Sequence, residues 1–391
     1  MKSLRLFLLA VVSGVLLAGC GAGNPATTQQ FNAASLAASQ RQAAPAEQRA
    51  CPKPTSEESQ CGVIIMRTGV QPDQAGWGPS AFQAAYNLPS FSKGSGQIVA
   101  IVDAYDDPNV ASDLAEYRSY FGLPPGNFTK YNQEGQQGNY PMTCLNNDNW
   151  CVEIDLDVEM VSAVCPNCTI YLVEANDGDS LGTAEKEAVK LGAHIISNSW
   201  SWGPISKSDF DAPGVVYLVA AGDSTYGVEP PAWFPTVISV GGTMLAKRGS
   251  KYKEIVWPLT GAGCAKHFAK PSWQHDPDCR WRTDNDVAAV AWDVAEYDSY
   301  NYSGWITVMG TSISTPLIAG IYGLAGNASS QHAGKELWTL TTQERKKYLH
   351  TISRGSDGSC GGSYLCTAGT GQYSTYSGPT GWGTPNGIGA F

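Results

Sequence analysis

The sequence predicts an α/β fold: a mostly parallel central sheet with helices on both faces, forming a single domain. Two observations carry that prediction. From GWGPSAFQAAYNLP onward, apolar strand-like runs alternate with amphipathic stretches, and strand alternating with helix implies parallel strands joined by helical crossovers. The composition, 42% hydrophobic and only 15% charged with 43 glycines among 391 residues, belongs to a glycine-rich globular scaffold rather than to a disordered chain.

Each element follows from its own pattern. QIVAIVD at 97–103 reads as a buried strand, and NVASDLAEYRSYFG after it as a helix. CTIYLVEA is a strand and SLGTAEKEAVKLG a helix; HIISNSW, VVYLVAAG and TVISVGG are further strands. WITVMGTSISTPLIAGIYGLAG places Ser312 between a strand and an apolar helix. Pro316 suits that helix because the N–H groups of a first turn have no partner inside the helix. There is no internal repeat.

Strand ends matter in such a sheet, because functional groups collect at the carboxyl ends of parallel strands. Asp103 ends one strand, Ser199 and Trp200 another, and Asp223 a third. Ser312 sits at a helix N-terminus, where backbone N–H groups and the helix dipole favour developing negative charge.

A net charge of -10 and the lack of a Lys/Arg cluster exclude a phosphate-backbone binder. At the N-terminus, Lys2 and Arg5 precede an apolar run that closes in LLAGC. That is the pattern of a lipoprotein signal cleaved before Cys20, with the lipid attached there; an ordinary export signal is the alternative. Residues 21–50, rich in Ala, Gln, Ser and Thr, read as a tether.

Eleven cysteines less Cys20 leave ten, which suits five bridges in an oxidising compartment. Local pairing gives Cys51 with Cys61, Cys144 with Cys151, Cys165 with Cys168, Cys264 with Cys279, and Cys360 with Cys366. CPNC at 165–168 also admits a redox pair, or zinc shared with Cys144 and Cys151.

The stretch CVEIDLDVEM at 151–160 carries four acids alternating with apolar residues. It reads as a two-faced strand until Val161, Ala163 and Val164 break the alternation. If it is helical, Glu153 and Asp157 stand one turn apart on one face, while Asp155 and Glu159 lie on another and are expected to be solvated or locally bonded. A serine hydrolase needs a base, and none of His194, His267, His275, His332 and His350 lies in a context that supplies one. A carboxylate can serve when the working pH is near its pKa.

The landmarks GPSAFQAAYNLP, EIDLDVEM, SNSW, AAGDS, FPTVISVGGT, GTSISTP and GPTGWGTPNG together resemble the sedolisin family, the serine-carboxyl peptidases of subtilisin-like fold. The resemblance covers about residues 76–391. It implies Ser312 as nucleophile, Glu153 as general base, Asp157 orienting Glu153, and Asp223 as a protonated oxyanion donor. It also implies Asp103 as a further acid beside the Glu/Asp pair. Closely spaced carboxyls cannot all ionise, so the expected optimum is acidic. Trp200 and Trp202 are expected either in the substrate cleft or in packing.

Two places depart from the family. Its calcium site near the C-terminus uses two aspartates where this chain has Thr351 and Ser377, so the protein is expected to have no calcium site and no cofactor, with Asp357 the only nearby carboxylate that could rescue one. A large prosegment is also not apparent. The expected layout is a signal at 1–20, a tether with a small stapled piece at 21–75, and a peptidase-like domain at 76–391.

The expected activity is acid endopeptidase action on peptides or unfolded proteins by an exported or lipid-anchored monomer, with no nucleic-acid partner. The rivals are a silent surface scaffold of the same fold that binds peptides, and a neutral subtilisin using Asp103 as its acid.

Overall fold

A computed structural model describes residues 48–144, 149–370 and 375–391. The expected signal, the lipidation site Cys20 and the first part of the tether lie outside the described residues. In chain order the elements begin with β1 (Gln48–Arg49), β2 (Gln60–Cys61), β3 (Ile64–Arg67), α1 (Pro79–Ala85), β4 (Ile98–Ala104) and α2 (Val110–Tyr120). They continue with β5 (Asn127–Asn132), α3 (Trp150–Val164), β6 (Thr169–Ala175), α4 (Leu181–Lys190), β7 (Ile195–Asn198), β8 (Trp200–Ser201) and β9 (Val216–Ala220). Then come β10 (Ile238–Arg248), β11 (Lys251–Val256), β12 (Cys264–Ala269), β13 (Trp281–Thr283), β14 (Val287–Val290), β15 (Val294–Asp298) and β16 (Gly304–Met309). The chain closes through α5 (Thr311–Ala325), α6 (Lys335–Thr339), α7 (Thr342–Tyr348), β17 (Leu349–His350) and β18 (Thr384–Pro385).

The main sheet runs β11-β10-β9-β7-β4-β6-β5, with β14 also against β10. Every pair in it is parallel except β10 with β11. This is the α/β architecture the alternation predicts, and β4, β6, β7, β9, β10 and β16 all fall on runs the sequence marks as strands. Parallel strands are covered on both faces, which is why β4 and β9 are almost wholly buried.

Helix α3 settles the ambiguous acidic stretch as helical. It packs on α5, α1, α2, β4 and β15, and each of its residues is buried. Asp155 and Glu159, expected to be solvated or locally bonded, are therefore fully buried. The second flank of the helix faces α2 and β15 rather than water, and Glu159 accepts the N–H of Tyr297 in β15.

From Gln48 the expected tether is part of the fold. β3 pairs antiparallel with β1 and β16, and β16 with β15, making a separate four-stranded sheet. β2 pairs antiparallel with β8. The cysteines are bridged in the five local pairs expected, so CPNC forms a disulfide and offers no thiolate to zinc. No described helix is long and apolar enough to cross a membrane.

Candidate active site

Ser312 is the second residue of α5 and fully buried. Gly310, which precedes the helix, has φ 151°, a backbone that side chains rarely adopt. A Cβ there would lie 2.9 Å from Asp223 Oδ2. Glycine thus lets the helix start press against Asp223. The Ser312 hydroxyl donates to Ser199 O at 3.3 Å, and the Glu153 carboxyl lies close enough to be influenced by it, with Oε1 free of any hydrogen-bond partner.

Glu153 lies in the first turn of α3. Burial pushes its pKa well up, with the charge of Asp103 next in effect, while the Ser312 hydroxyl and the Val63 N–H work the other way. Asp157, one turn on, accepts from Ser199 Oγ at 2.8 Å. Its pKa is also raised, chiefly by burial and then by Asp103 and Glu153. Ser199 Oγ also lies 3.4 Å from Ser312 O, so the β7–β8 junction ties the acid helix to the serine helix.

Asp103 ends the central run of β4, fully buried, with neither carboxyl oxygen hydrogen-bonded. Burial raises its pKa to about 8. Asp103, Glu153 and Asp157 thus form one mutually repelling trio that holds protons.

Asp223 follows β9. Its Oδ1 accepts both the N–H and the hydroxyl of Thr311, at 2.8 and 2.9 Å, while Oδ2 has no partner. Burial raises this carboxyl to about 7, against the pull of the Thr311 bonds. Below that pH the free oxygen can carry a proton, and it lies on the side of Ser312. All four sequence-expected acids and Ser312 are therefore brought to one place.

The sequence does not reveal what covers them. The N–H groups of Gly62 and Val63 donate to Glu153 Oε2 at 3.1 and 3.0 Å. A Cβ on Gly62 would lie 2.7 Å from Asp223 Oδ2 and 3.1 Å from Ser312 Oγ, so only glycine fits this close approach. Arg49 donates to Asp223 O at 2.7 Å. Beside this segment, β2 sits in register on β8, with Gln60 opposite Ser201 and Cys61 opposite Trp200. The chain's own residues thus lie in the groove as an extended peptide would. The Cys51–Cys61 bridge was the one sequence sign that this segment is structured.

Trp200 is buried and donates from Nε1 to Val102 O at 2.9 Å, so it packs beneath the groove. Trp202 is half-buried and meets Trp233 edge to face. At the position of the family's calcium site, Thr351 is exposed, and Ser377 Oγ is bonded to Thr380 Oγ1 at 2.8 Å. Asp357 is buried without a partner for either oxygen, its pKa raised by burial to about 8. One carboxylate and two hydroxyl side chains do not make the anionic set that a hard dication takes.

A model of the subtilase family matches residues 142–383. Kumamolisin from Bacillus sp. (strain MN-32) is 29% identical over 348 residues, covering 78% of this chain and 61% of that protein. Sedolisin from Pseudomonas sp. (strain 101) is 25% identical over 360 residues, covering 79% and 60%. The chain thus spans about three-fifths of the length of the curated relatives it matches. The fold is similar to that of Pseudomonas sedolisin, described as a serine-carboxyl proteinase, with a TM-score of 0.68, 22% identity, and coverage of 80% of this chain and 96% of that one.

Proposed function

Because this chain belongs to the subtilase family and resembles the sedolisins within it, we propose that it is an acid-acting serine-carboxyl endopeptidase whose cleft is held shut by its own residues 48–67. The observation that carries the reading is the convergence of Glu153, Asp157 and Asp223 on Ser312, where a binding scaffold would gain nothing from mutually repelling buried acids.

In this reading Ser312 Oγ attacks the scissile carbonyl as Glu153 takes its proton, forming the Ser312–carbon bond. Asp223 donates a hydrogen bond from Oδ2 to the oxyanion. Collapse expels the amine, which leaves with the proton held on Glu153, and the acyl-enzyme remains on Ser312. Water, deprotonated by Glu153, attacks the acyl carbon, and as the Ser312 ester bond breaks Glu153 returns the proton to Ser312 Oγ and the acid leaves. Asp157 and Asp103 keep the shared proton close to Glu153. Substrates are extended or unfolded peptides that add as a strand to β8 once β2 leaves it. Only Asp223 in its neutral form can donate, so activity belongs to acid solution.

The protein acts as an exported monomer, lipid-anchored through Cys20, without a cofactor in the reaction. Five bridges support export, and a site complete within one chain supports the monomer. The lack of a matching carboxylate set near Thr351 and Ser377 supports the absence of the family's calcium.

A second reading has a specific observation behind it. β3 is an internal strand of a sheet, between β1 and β16, and a segment so anchored could make the site permanently silent. Hydrolysis of a protein substrate from pH 3 to 8, by the wild type and by a Cys51→Ser/Cys61→Ser variant, separates the two. Acid activity abolished by Ser312→Ala supports the enzyme; inactivity of both proteins at every pH supports the silent scaffold.

A further inference from the structure

Beyond the acids around Ser312 lies a second buried acidic cluster, and the reaction does not use it. We propose that Asp113, Asp155 and Asp298 form a binding site for one calcium ion that ties α2, α3 and β15 together. Asp113 belongs to the first turn of α2, Asp155 to α3, and Asp298 is the last residue of β15.

One carboxylate oxygen from each lies within 4.8 Å of the others. Oxygens bound to a common calcium at about 2.3–2.6 Å are separated by no more than about 5 Å. The three groups are buried. The independent pointer is Asp155, fully buried, with no hydrogen-bond partner of standard geometry on either oxygen and only the acid Asp107 close beside it; Asp298 Oδ2 is likewise without a donor. A buried carboxylate is normally paired or bound to a metal.

No ion pair among the described residues includes any of the three. The charges that act on Asp155 are all negative, from Asp107, Asp298, Glu159 and Asp113.

Hydrogen bonds hold two of the carboxylates in place, on both oxygens of Asp113 and on one of Asp298. Asp113 accepts the Ser299 N–H at 2.8 Å and its hydroxyl at 2.7 Å. Asp298 Oδ1 accepts the Asn301 N–H at 2.8 Å. Such outer bonds fix ligand orientation while leaving lone pairs for an ion. The donors are all oxygens, and the neighbouring Cys144 and Cys151 are joined in a disulfide, which selects a hard cation. Buried carboxylates suit calcium better than magnesium, which keeps several waters. The residues lie on other elements than the loops of Thr351 and Ser377, so this is a separate site. Asp155 is two residues from Glu153, so the ion would pin the helix that carries the proposed base.

The test is titration of the EDTA-dialysed protein at pH 7 with calcium chloride, read by calorimetry and thermal melting, beside Asp155→Asn and Asp357→Asn. Expected are one ion per chain and a calcium-dependent rise in Tm for the wild type and Asp357→Asn. Asp155→Asn should bind at least about tenfold more weakly, yet melt no lower than the wild type in metal-free buffer, because a buried repulsion is gone. Should it not fold, Asp298→Asn replaces it. No calcium binding by the wild type, binding unchanged in Asp155→Asn, or an equal response to magnesium chloride would overturn the assignment.

Discussion

The Gly62 N–H donates to Glu153 Oε2 at 3.1 Å, so the carboxyl proposed to take the proton of Ser312 is engaged by the chain's own N-terminal segment. The contact joins residues 91 apart in sequence. It makes access to the cleft, and not only the chemistry within it, a property of the fold.

If that segment restrains activity, loosening it should raise the rate. Cys51→Ser/Cys61→Ser frees the loop that ends in β2, and hydrolysis at acid pH is expected to rise by about tenfold or more, the effect of removing roughly 1.4 kcal/mol of closure. Equal rates in the variant and the wild type would show that the bridge does not hold the cleft closed.

Gly62→Val tests the same contact by crowding. Its Cβ would overlap Asp223 Oδ2, and overpacking of this kind costs about 1–3 kcal/mol. The denaturant midpoint should fall, while labelling of Ser312 by a serine-directed fluorophosphonate should quicken as the segment lifts. Slower labelling than in the wild type would contradict the prediction.

Stability should favour acid. Asp103 has a pKa raised to about 8 by burial. A carboxyl whose pKa rises on folding contributes stability that is fully present below its unfolded value, near 4, and lost as pH climbs through the folded value. The urea midpoint is expected to fall between about pH 4 and pH 8, with the fall diminished in Asp103→Asn. A midpoint that rises across that range would refute the assignment.

Arg282 is fully buried and bidentate on Asp286, at 3.0 and 2.6 Å. Asp286 also takes the Trp338 Nε1–H at 2.7 Å and the Ser239 N–H at 3.0 Å. Removing one partner of such a pair leaves a buried charge uncompensated. Arg282→Ala is therefore expected to lose about 3–5 kcal/mol in equilibrium urea unfolding; a loss below about 1 kcal/mol would show the pair to be dispensable.

Much of this was legible in the sequence, for physical reasons that differ by place. β4, β6, β9 and β10 are buried on both faces and so read as near-continuous apolar runs. Glu153 and Asp157 emerged from helical spacing once no histidine could serve as base. The same helical spacing misled at Asp155 and Glu159. It showed a second flank, but nothing local revealed that Asp113, Asp298 and Glu296 would be packed near it instead of water. The segment at 48–67 was hidden for a related reason. Its strands are two to four residues long, and their partners on β8 and β16 lie far along the chain, so no periodicity could develop.

The most direct measurement is the pH dependence of peptide hydrolysis by the Cys51→Ser/Cys61→Ser protein, with Glu153→Gln and Ser312→Ala made in the same background. In the proposed reaction Asp223, at about 7, would set the alkaline limb. The account predicts activity confined to acid, fading as pH rises through about 7, and reduced by about a thousandfold or more in both variants. A maximum near or above neutrality, or hydrolysis that survives Glu153→Gln, would contradict it.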